Sequence, residues 1–292
     1  MKLGIIVVYM VREENERLLD LHLHQIEKHT HCPYTIYGTA NRLLPQFRRK
    51  LEEHPNIKIC EFPATDLRTH YEHAYYLDRL VHAAIEDGVS HVVTLHVDSF
   101  PIRTDWIQIM TDQLSAACPL VSVMRQEIND LKPNTAGLCF NRDFYLDYQP
   151  TFLLSNAERS SKQYQEYCAA CDHLTDSGVG YGFKIFSEGL SWYPLMRSNE
   201  VEDHAHLGSI YHDIIYHLSY AARRVTLTPA DRIKIPQFFR GIRSVLIPEK
   251  IWEIIRNSSV QSNQQAYDTI RARLLENPDA YLEYLRTGQS MN

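Results

Sequence analysis

The stretch that decides the fold is His91–Trp106, which reads HVVTLHVDSFPIRTDW. Its first part, His91–Val97, is a near-continuous apolar run rich in β-branched residues, typical of a strand that helices cover on both faces. Asp98 stands at the carboxyl end of this strand, and Pro101 is expected to end the strand pairing. Thr104 is a suitable N-cap for a following helix. The stretch therefore predicts a strand, an acidic loop and a helix.

The acidic loop is the first candidate for chemistry. In open α/β sheets, ligands bind outside the carboxyl ends of the strands. A carboxylate such as that of Asp98 can hold magnesium or manganese against the phosphate oxygens of a substrate. The alternative is an aspartate that only stabilises a turn or caps a helix.

Composition limits the classes of function. The chain has 292 residues, 44% of them hydrophobic, which is enough for one large α/β domain or two small ones. The net charge of −6 argues against a general nucleic-acid binder, because such proteins need a concentrated positive field. The first apolar run is too short for a signal peptide, and no window approaches a membrane span. A cytoplasmic protein is expected.

The six cysteines have no disulfide framework spacing, so reduced thiols are expected. Cys168 and Cys171 form a single CxxC in a predicted helix, without the second pair that a zinc site would need.

Strands and helices are predicted to alternate from the first residues onward. The strands are Leu3–Tyr9, Tyr34–Gly38, Ile57–Phe62, His91–Val97 and Leu120–Met124, and the helices are Asn15–Lys28, Pro45–Glu53, His70–Asp87 and Asp105–Ala117. A capping box of Thr69 and Glu72 is expected to start the third helix. Such succession predicts a mostly parallel, Rossmann-like sheet flanked by helices, with right-handed connections.

The pattern changes after residue 130. A short strand at Leu138–Phe140, a long helix at about Ala157–His173 and a glycine-containing turn at Asp176–Gly182 are expected. From Ile247 onward, two amphipathic helices are predicted to form a docked tail.

With this order, residues 1 to about 225 resemble GT-A-type glycosyltransferases, which transfer a sugar from a nucleotide sugar. The resemblance implies a catalytic domain at 1–244, with a nucleotide-sugar-binding half at 1–130 and an acceptor half at 131–244, followed by the helical tail at 245–292. In the family a DxD loop holds the metal and the donor diphosphate. Here the loop is degenerate, because either His96 or Phe100 replaces the second carboxylate beside Asp98.

A second part of the resemblance is the sequence Ile215–His217 (IYH), followed by Arg223 and Arg224. A late histidine completes the metal or diphosphate site in many GT-A enzymes, so the resemblance implies that His217 is a metal ligand with Asp98. The paired arginines offer fixed charge to the leaving diphosphate. The alternative is that the histidines of this region are surface or core residues.

Other roles follow from the same resemblance. Asp176 lies where an inverting transferase would place its general base, although a helix N-cap would look the same. Tyr9 is expected against the nucleotide base, and Asp66 lies in a loop at the same edge of the sheet. Arg79 lies where these enzymes contact the donor, and an i,i+4 contact with Tyr75 explains it equally well.

The expected function is therefore a hexosyltransferase-like, inverting glycosyltransferase. It would move a sugar from a nucleoside-diphosphate sugar to a hydroxyl of a glycan or lipid-linked acceptor, with manganese or magnesium, in polysaccharide or glycoconjugate synthesis. The alternative is a non-catalytic nucleotide- or sugar-binding relative of the same fold. A nucleotidyltransferase would need a glycine-rich phosphate loop after the first strand, and residues 8–16 have none.

One segment suggests contact with a membrane. Residues 232–243, RIKIPQFFRGIR, interleave basic and aromatic side chains, a pattern that suits peripheral binding at the inner face of a membrane. A solvated loop packed on the tail is the alternative.

Overall fold

The main sheet is built on the apolar strands that the sequence indicates. The computed structural model describes residues 1–41, 43–128, 130–171, 177–220 and 249–289. In these residues a seven-stranded sheet has the order β3-β2-β1-β4-β7-β6-β8. Its strands are β1 (Leu3–Val8), β2 (Tyr34–Thr39), β3 (Ile57–Ile59), β4 (His91–Leu95), β6 (Leu120–Arg125), β7 (Asp130–Asn141) and β8 (Trp192–Leu195).

The sheet is mostly parallel. Strand β1 pairs in parallel with β2 and β4, β2 with β3, and β6 with β8. Strand β7 is the exception, since it runs antiparallel to β4 and β6. The expected fold class, a mostly parallel Rossmann-like sheet flanked by helices, is confirmed.

A second, smaller sheet positions the candidate site. It contains three antiparallel strands in the order β5-β10-β9. These are β5 (Ser99–Pro101), β9 (Ser209–Tyr211) and β10 (Ile215–His217). The expectation that Pro101 ends the strand pairing was wrong, because Pro101 pairs with Ile215. Strand β5 lies at the edge of its sheet, where a residue without a backbone N–H is tolerated.

The helices follow the predicted alternation in the first half of the chain. They are α1 (Glu16–His29), α2 (Pro45–Glu52), α3 (His70–Glu86), α4 (Trp106–Asp112), α5 (Arg142–Tyr148), α6 (Asn156–Arg159), α7 (Lys162–Cys171), α8 (Val179–Ser187), α9 (Glu249–Glu276) and α10 (Pro278–Thr287). Helix α3 buries the apolar stripe that includes Leu77 and Val81. Its predicted capping box was wrong: the Thr69 side chain makes no cap, and its hydroxyl donates to the Arg68 carbonyl at 2.7 Å.

The second half differs more from expectation. The long helix predicted at Ala157–His173 is two helices, α6 and α7, within the described residues. The tail also divides elsewhere than predicted: α9 continues to Glu276, and α10 starts after Asn277, whose side chain accepts a hydrogen bond from the Ala280 amide. Side chains of both tail helices, such as Tyr267 and Leu285, join the core cluster of β1 and β4.

The described residues test only part of what was expected about membranes. No helix among the described residues is both long enough and apolar enough to cross a bilayer. The basic and aromatic segment 232–243 lies outside the described residues.

The glycine-containing turn expected at Asp176–Gly182 is present at Ser177 and Gly178, but residues 179–182 belong to helix α8. Gly178 thus precedes the helix, and Gly180 and Gly182 lie within it. Their role is close approach of backbones. A Cβ on Gly180 would lie 1.8 Å from the Thr151 carbonyl oxygen, and one on Gly178 would lie 1.9 Å from the Pro133 carbonyl oxygen. Helix α8 therefore sits against β7 and the 151–152 segment only because these positions lack side chains.

Gly180→Ala should lower the free energy of unfolding by about 1–3 kcal/mol or more, because the added methyl group overlaps a backbone carbonyl that side-chain movement cannot relieve. Urea unfolding measures the change. Gly189→Asn is the matched control, since Gly189 has φ +65° with no atom within 4 Å of an added Cβ, and asparagine tolerates that conformation. Equal losses in both variants would contradict the close approach.

Candidate metal centre

The turn between β4 and β5 presents the first two side chains of the site. The Ser99 amide donates to the His96 carbonyl at 3.0 Å, and the His96 amide donates to Ser99 Oγ at 2.7 Å. These two bonds close a tight turn around Asp98. The turn lies at the carboxyl end of β4, where a doubly wound sheet opens to ligands.

The third side chain arrives from a distant part of the chain. In the β5–β10 pairing, His217 lies opposite Ser99, and the Leu218 amide donates to the Asp98 carbonyl at 2.9 Å. As a result, His217 Nε2 lies 3.6 Å from Asp98 Oδ1. The structure therefore brings together the two residues proposed as metal ligands.

His96 completes a group of three. The ligand atoms of His96, Asp98 and His217 all lie within 4.8 Å of one another. Two imidazoles and one carboxylate form a donor set that suits a transition-metal ion. Asp98 is 4% exposed and His217 is 3% exposed, whereas His96 is half-buried. A cation would therefore reach the group from the side of His96.

A line of hydroxyl groups leads away from Nε2 of the His96 imidazole. His96 Nε2 lies 2.9 Å from Thr135 Oγ1, which lies 3.1 Å from Ser177 Oγ. Ser177 Oγ lies 2.9 Å from His73 Nδ1. The rings of His73 and His96 also meet edge-to-face, with centroids 5.2 Å apart. The chain His96–Thr135–Ser177–His73, here called the hydroxyl relay, ties the loop to α3 and α8.

Hydrogen-bond direction links the relay to metal binding. An imidazole that binds a cation through one nitrogen donates its hydrogen through the other, so Nε2 of His96 would donate to Thr135. Thr135 would then donate to Ser177, and Ser177 to Nδ1 of His73, so that each hydroxyl donates once and accepts once. In the opposite direction Thr135 donates to Nε2 of His96, and Nδ1 carries the hydrogen and cannot bind a cation. Nδ1 of His96 can therefore bind a cation only when the hydrogen bonds of the relay run from His96 towards His73.

A second line of polar groups supports His217. Ser219 Oγ lies 3.5 Å from His217 Nδ1 and accepts a hydrogen bond from Arg125 Nη2 at 3.2 Å. Arg125 Nε lies 3.5 Å from Glu127, which accepts a hydrogen bond from the Tyr211 hydroxyl at 2.5 Å. The buried arginine thus brings positive charge close to the candidate ligands.

Beneath the turn, His22 supports the Ser99 carbonyl. His22 Nδ1 lies 3.0 Å from this oxygen and is fully buried. Burial lowers the pKa of His22 to about 4, although the bond to Ser99 and the charge of Asp98 oppose this shift. The ring is therefore neutral at pH 7 and donates its Nδ1 hydrogen to the carbonyl.

The structure places the other candidate residues apart from this group. Tyr9 is 1% exposed, and its ring meets that of His22 edge-to-face at 5.9 Å. Asp66 is exposed on the loop before α3. The Arg79 guanidinium lies 3.5 Å from the centroid of the Tyr75 ring, so the i,i+4 contact is formed. Nucleotide contact by Tyr9, Asp66 and Arg79 stays a prediction.

Three further candidates, Asp176, Arg223 and Arg224, lie outside the described residues. In the sequence His96 was expected only as a replacement for a carboxylate, although its spacing from Asp98 is a signal for a second ligand. It did not identify His73, Ser177 or Arg125, because no motif marks residues that meet the site only through tertiary contacts.

No family model and no curated protein matches the sequence. Many solved structures are similar to parts of this chain, and three of them illustrate the likeness. A mannosyltransferase from Pyrobaculum calidifontis, in complex with GDP-Man and Mn2+, is 14% identical with a TM-score of 0.37, over 50% of this chain and 46% of that one. The chain thus spans less than half of that protein.

The other two likenesses cover more of both chains. Mouse xyloside xylosyltransferase 1, in its apo form, is 9% identical with a TM-score of 0.42, over 67% of this chain and 85% of that one. A cytidylyltransferase from Leptospira borgpetersenii serovar Hardjo-bovis (strain JB197) is 12% identical with a TM-score of 0.43, over 72% and 81%. All three likenesses concern the fold alone.

Thr135→Val should weaken manganese binding about 10- to 100-fold, because it removes the hydroxyl that orients His96. Isothermal titration with Mn2+ measures the affinity. Thr135→Ser is the matched control, since it keeps the hydroxyl and should bind nearly as tightly as the wild type. Unchanged affinity in Thr135→Val would contradict the role of the relay.

The free energy of unfolding should fall as pH is lowered from about 6.5 towards 4, because in this range the unfolded state protonates His22 while the folded state does not. The lowered pKa of His22 is expected to change the free energy of unfolding by about 3 kcal/mol over this pH range. His22→Gln should flatten this dependence in denaturant unfolding at several pH values, whereas His24→Gln, on the exposed face of α1, should not. Parallel curves for the wild type and His22→Gln would contradict the burial of a neutral ring.

Proposed function

We propose that this protein is a metal-dependent glycosyltransferase that moves a hexose from a nucleoside-diphosphate sugar to an acceptor hydroxyl. One observation carries the proposal. His96, Asp98 and His217 converge at the carboxyl end of β4, with their ligand atoms within 4.8 Å of one another. This is the edge of the sheet at which a nucleotide-sugar diphosphate would lie.

The three side chains fit a divalent cation by their chemistry. They would hold it through two imidazole nitrogens and a carboxylate oxygen, with the remaining positions open to the diphosphate. The cation, when bound, would supply positive charge to the leaving nucleoside diphosphate. Imidazole ligands favour manganese over magnesium, so this degenerate loop implies a narrower choice of metal than two carboxylates would give.

The chain's own residues have separate tasks in this proposal. Asp98 and the two histidines would hold the cation, and Arg223 and Arg224 would add fixed positive charge beside the diphosphate. Asp176 would accept the proton of the acceptor hydroxyl while the acceptor oxygen bonds to the anomeric carbon and displaces the nucleoside diphosphate from the opposite face, which inverts that carbon. Its neighbour in sequence, Ser177, is held by His73 and Thr135. Positioning and charge stabilisation would give most of the rate enhancement.

Several finer features belong to the same proposal. Tyr9 and Asp66 would contact the nucleotide, and Arg79 the donor. The tail at 245–292 would form a unit docked on the catalytic domain at 1–244. The protein would act in the cytoplasm, in polysaccharide or glycoconjugate synthesis, on a glycan or lipid-linked acceptor. Residues 232–243 would give peripheral contact with the membrane.

Asp98→Ala should lower sugar transfer about 100-fold or more while leaving the fold intact, because it removes the only carboxylate of the candidate centre. Release of nucleoside diphosphate from GDP-mannose and UDP-glucose, with Mn2+ and in turn Mg2+, measures turnover. Asp147→Asn, on the exposed face of α5, is the control. Circular dichroism and thermal unfolding check that both variants fold.

Full turnover in Asp98→Ala would contradict the proposed centre. Thermal stabilisation of the wild type by nucleotide and manganese, without any turnover, would favour the alternative of a non-catalytic nucleotide- or sugar-binding protein. A wild type that shows neither turnover nor thermal stabilisation with donor and metal would contradict both candidate functions.

A further inference from the structure

A small cavity of about 200 Å3 opens between the first turn of α3 and helices α6 to α8. Aromatic rings form much of its wall, and among the described residues that line it one is an arginine and none is a lysine. The residues that matter here are His70, Tyr71, Phe152, Arg159, Tyr164 and Val179. Pockets for drug-sized ligands occupy about 300–1,000 Å3, so this cavity would hold a single ring.

The cavity lies beside the hydroxyl relay. His70 stands one helical turn before His73, which bonds Ser177, and Val179 follows Ser177 by two residues. The His73 ring in turn meets the His96 ring at 5.2 Å. Because side chains three apart on a helix are about 5–6 Å apart, the ring of His73 stands between His70 in the cavity wall and His96 in the candidate metal centre.

Arg159 gives the cavity its chemical character. The half-buried guanidinium lies 4.3 Å from the centroid of the Tyr71 ring. Among the described residues no carboxylate lies within ion-pair distance of it. The adjacent Glu158 is already engaged, because it accepts hydrogen bonds from the Ser155 amide and hydroxyl at 2.7 and 2.6 Å. Arg159 is thus stacked on an aromatic face with its N–H groups directed to no anion of the described protein.

We propose that this cavity binds the acceptor, and that the acceptor ends in an anionic sugar whose carboxylate or phosphate pairs with Arg159. This inference rests on the proposed function. Aromatic rings suit the apolar face of a sugar ring, and the planar guanidinium suits an oxyanion with two acceptor oxygens. Arg159 is then the residue that selects a charged acceptor over a neutral one.

Binding of small sugars, measured by NMR titration of the full chain without donor or metal, tests the proposal. Methyl β-glucuronide and methyl β-glucoside share one ring and differ in a carboxylate. The glucuronide should bind about 10- to 100-fold more tightly to the wild type. Arg159→Gln should remove this difference, and Arg159→Lys should keep part of it. Arg49→Gln, on the exposed face of α2, is the matched control and should change nothing.

Equal affinity of the wild type for methyl β-glucoside, methyl β-glucuronide and methyl glucoside 6-phosphate would overturn the proposal, as would unchanged discrimination in Arg159→Gln. Methyl glucoside 6-phosphate distinguishes the two anions: tighter binding than the glucuronide assigns the site to phosphorylated sugars, and weaker binding assigns it to uronic acids. Tighter binding of the charged glycoside without any sugar transfer would support the anionic-sugar site and contradict the transferase function. Sugar transfer without a preference for the charged glycoside would support the transferase function and contradict the anionic-sugar site.

Discussion

The candidate centre depends on the antiparallel pairing of β5 with β10. This short ladder places His217 opposite Ser99, and the Leu218 amide donates to the Asp98 carbonyl at 2.9 Å. Backbone bonds therefore set the distance between an aspartate and a histidine that are more than a hundred residues apart in sequence. Because β5 starts directly after the turn at the end of β4, the small sheet is rigidly aligned with the large one, and the ligands are held before any ion arrives.

The buried polar groups around this ladder make hydrogen bonds that form two lines, one from His96 and one from His217. The hydroxyl relay leads from His96 to α3 and α8, and the line through Ser219 and Arg125 leads from His217 to Tyr211. Buried polar groups are costly unless hydrogen-bonded, so these lines restrict the orientation of both imidazoles. His73 belongs to this relay, and His70 of the same helix α3 lines the aromatic cavity, so α3 would connect the proposed donor and acceptor sites.

Particular residues show how far the sequence could be read. The apolar run His91–Val97 and the alternation of strands and helices predicted the main sheet, because burial on both faces leaves a direct signal in composition. Pro101 was misread, because its tolerance depends on an edge position that only strand order reveals. Residues 179–182 were expected in a turn, whereas they begin helix α8. Gly178 and Gly180 lie against the Pro133 and Thr151 carbonyls, a contact with no local signature.

The sequence by itself determined the fold class and the position of Asp98 at a strand end, because periodicity and strand-end placement are local properties. The resemblance to GT-A enzymes implied His217 as the partner of Asp98. Only the tertiary structure decided that His96 joins them, that Thr135, Ser177 and His73 hold it, and that Arg159 faces a cavity beside them. Thr135 lies in β7, Ser177 shortly before α8, His73 in α3 and Arg159 in α6, and no spacing along the chain encodes their contact. Their proximity arises from the packing of helices against the antiparallel strand β7, which is a property of the folded chain alone.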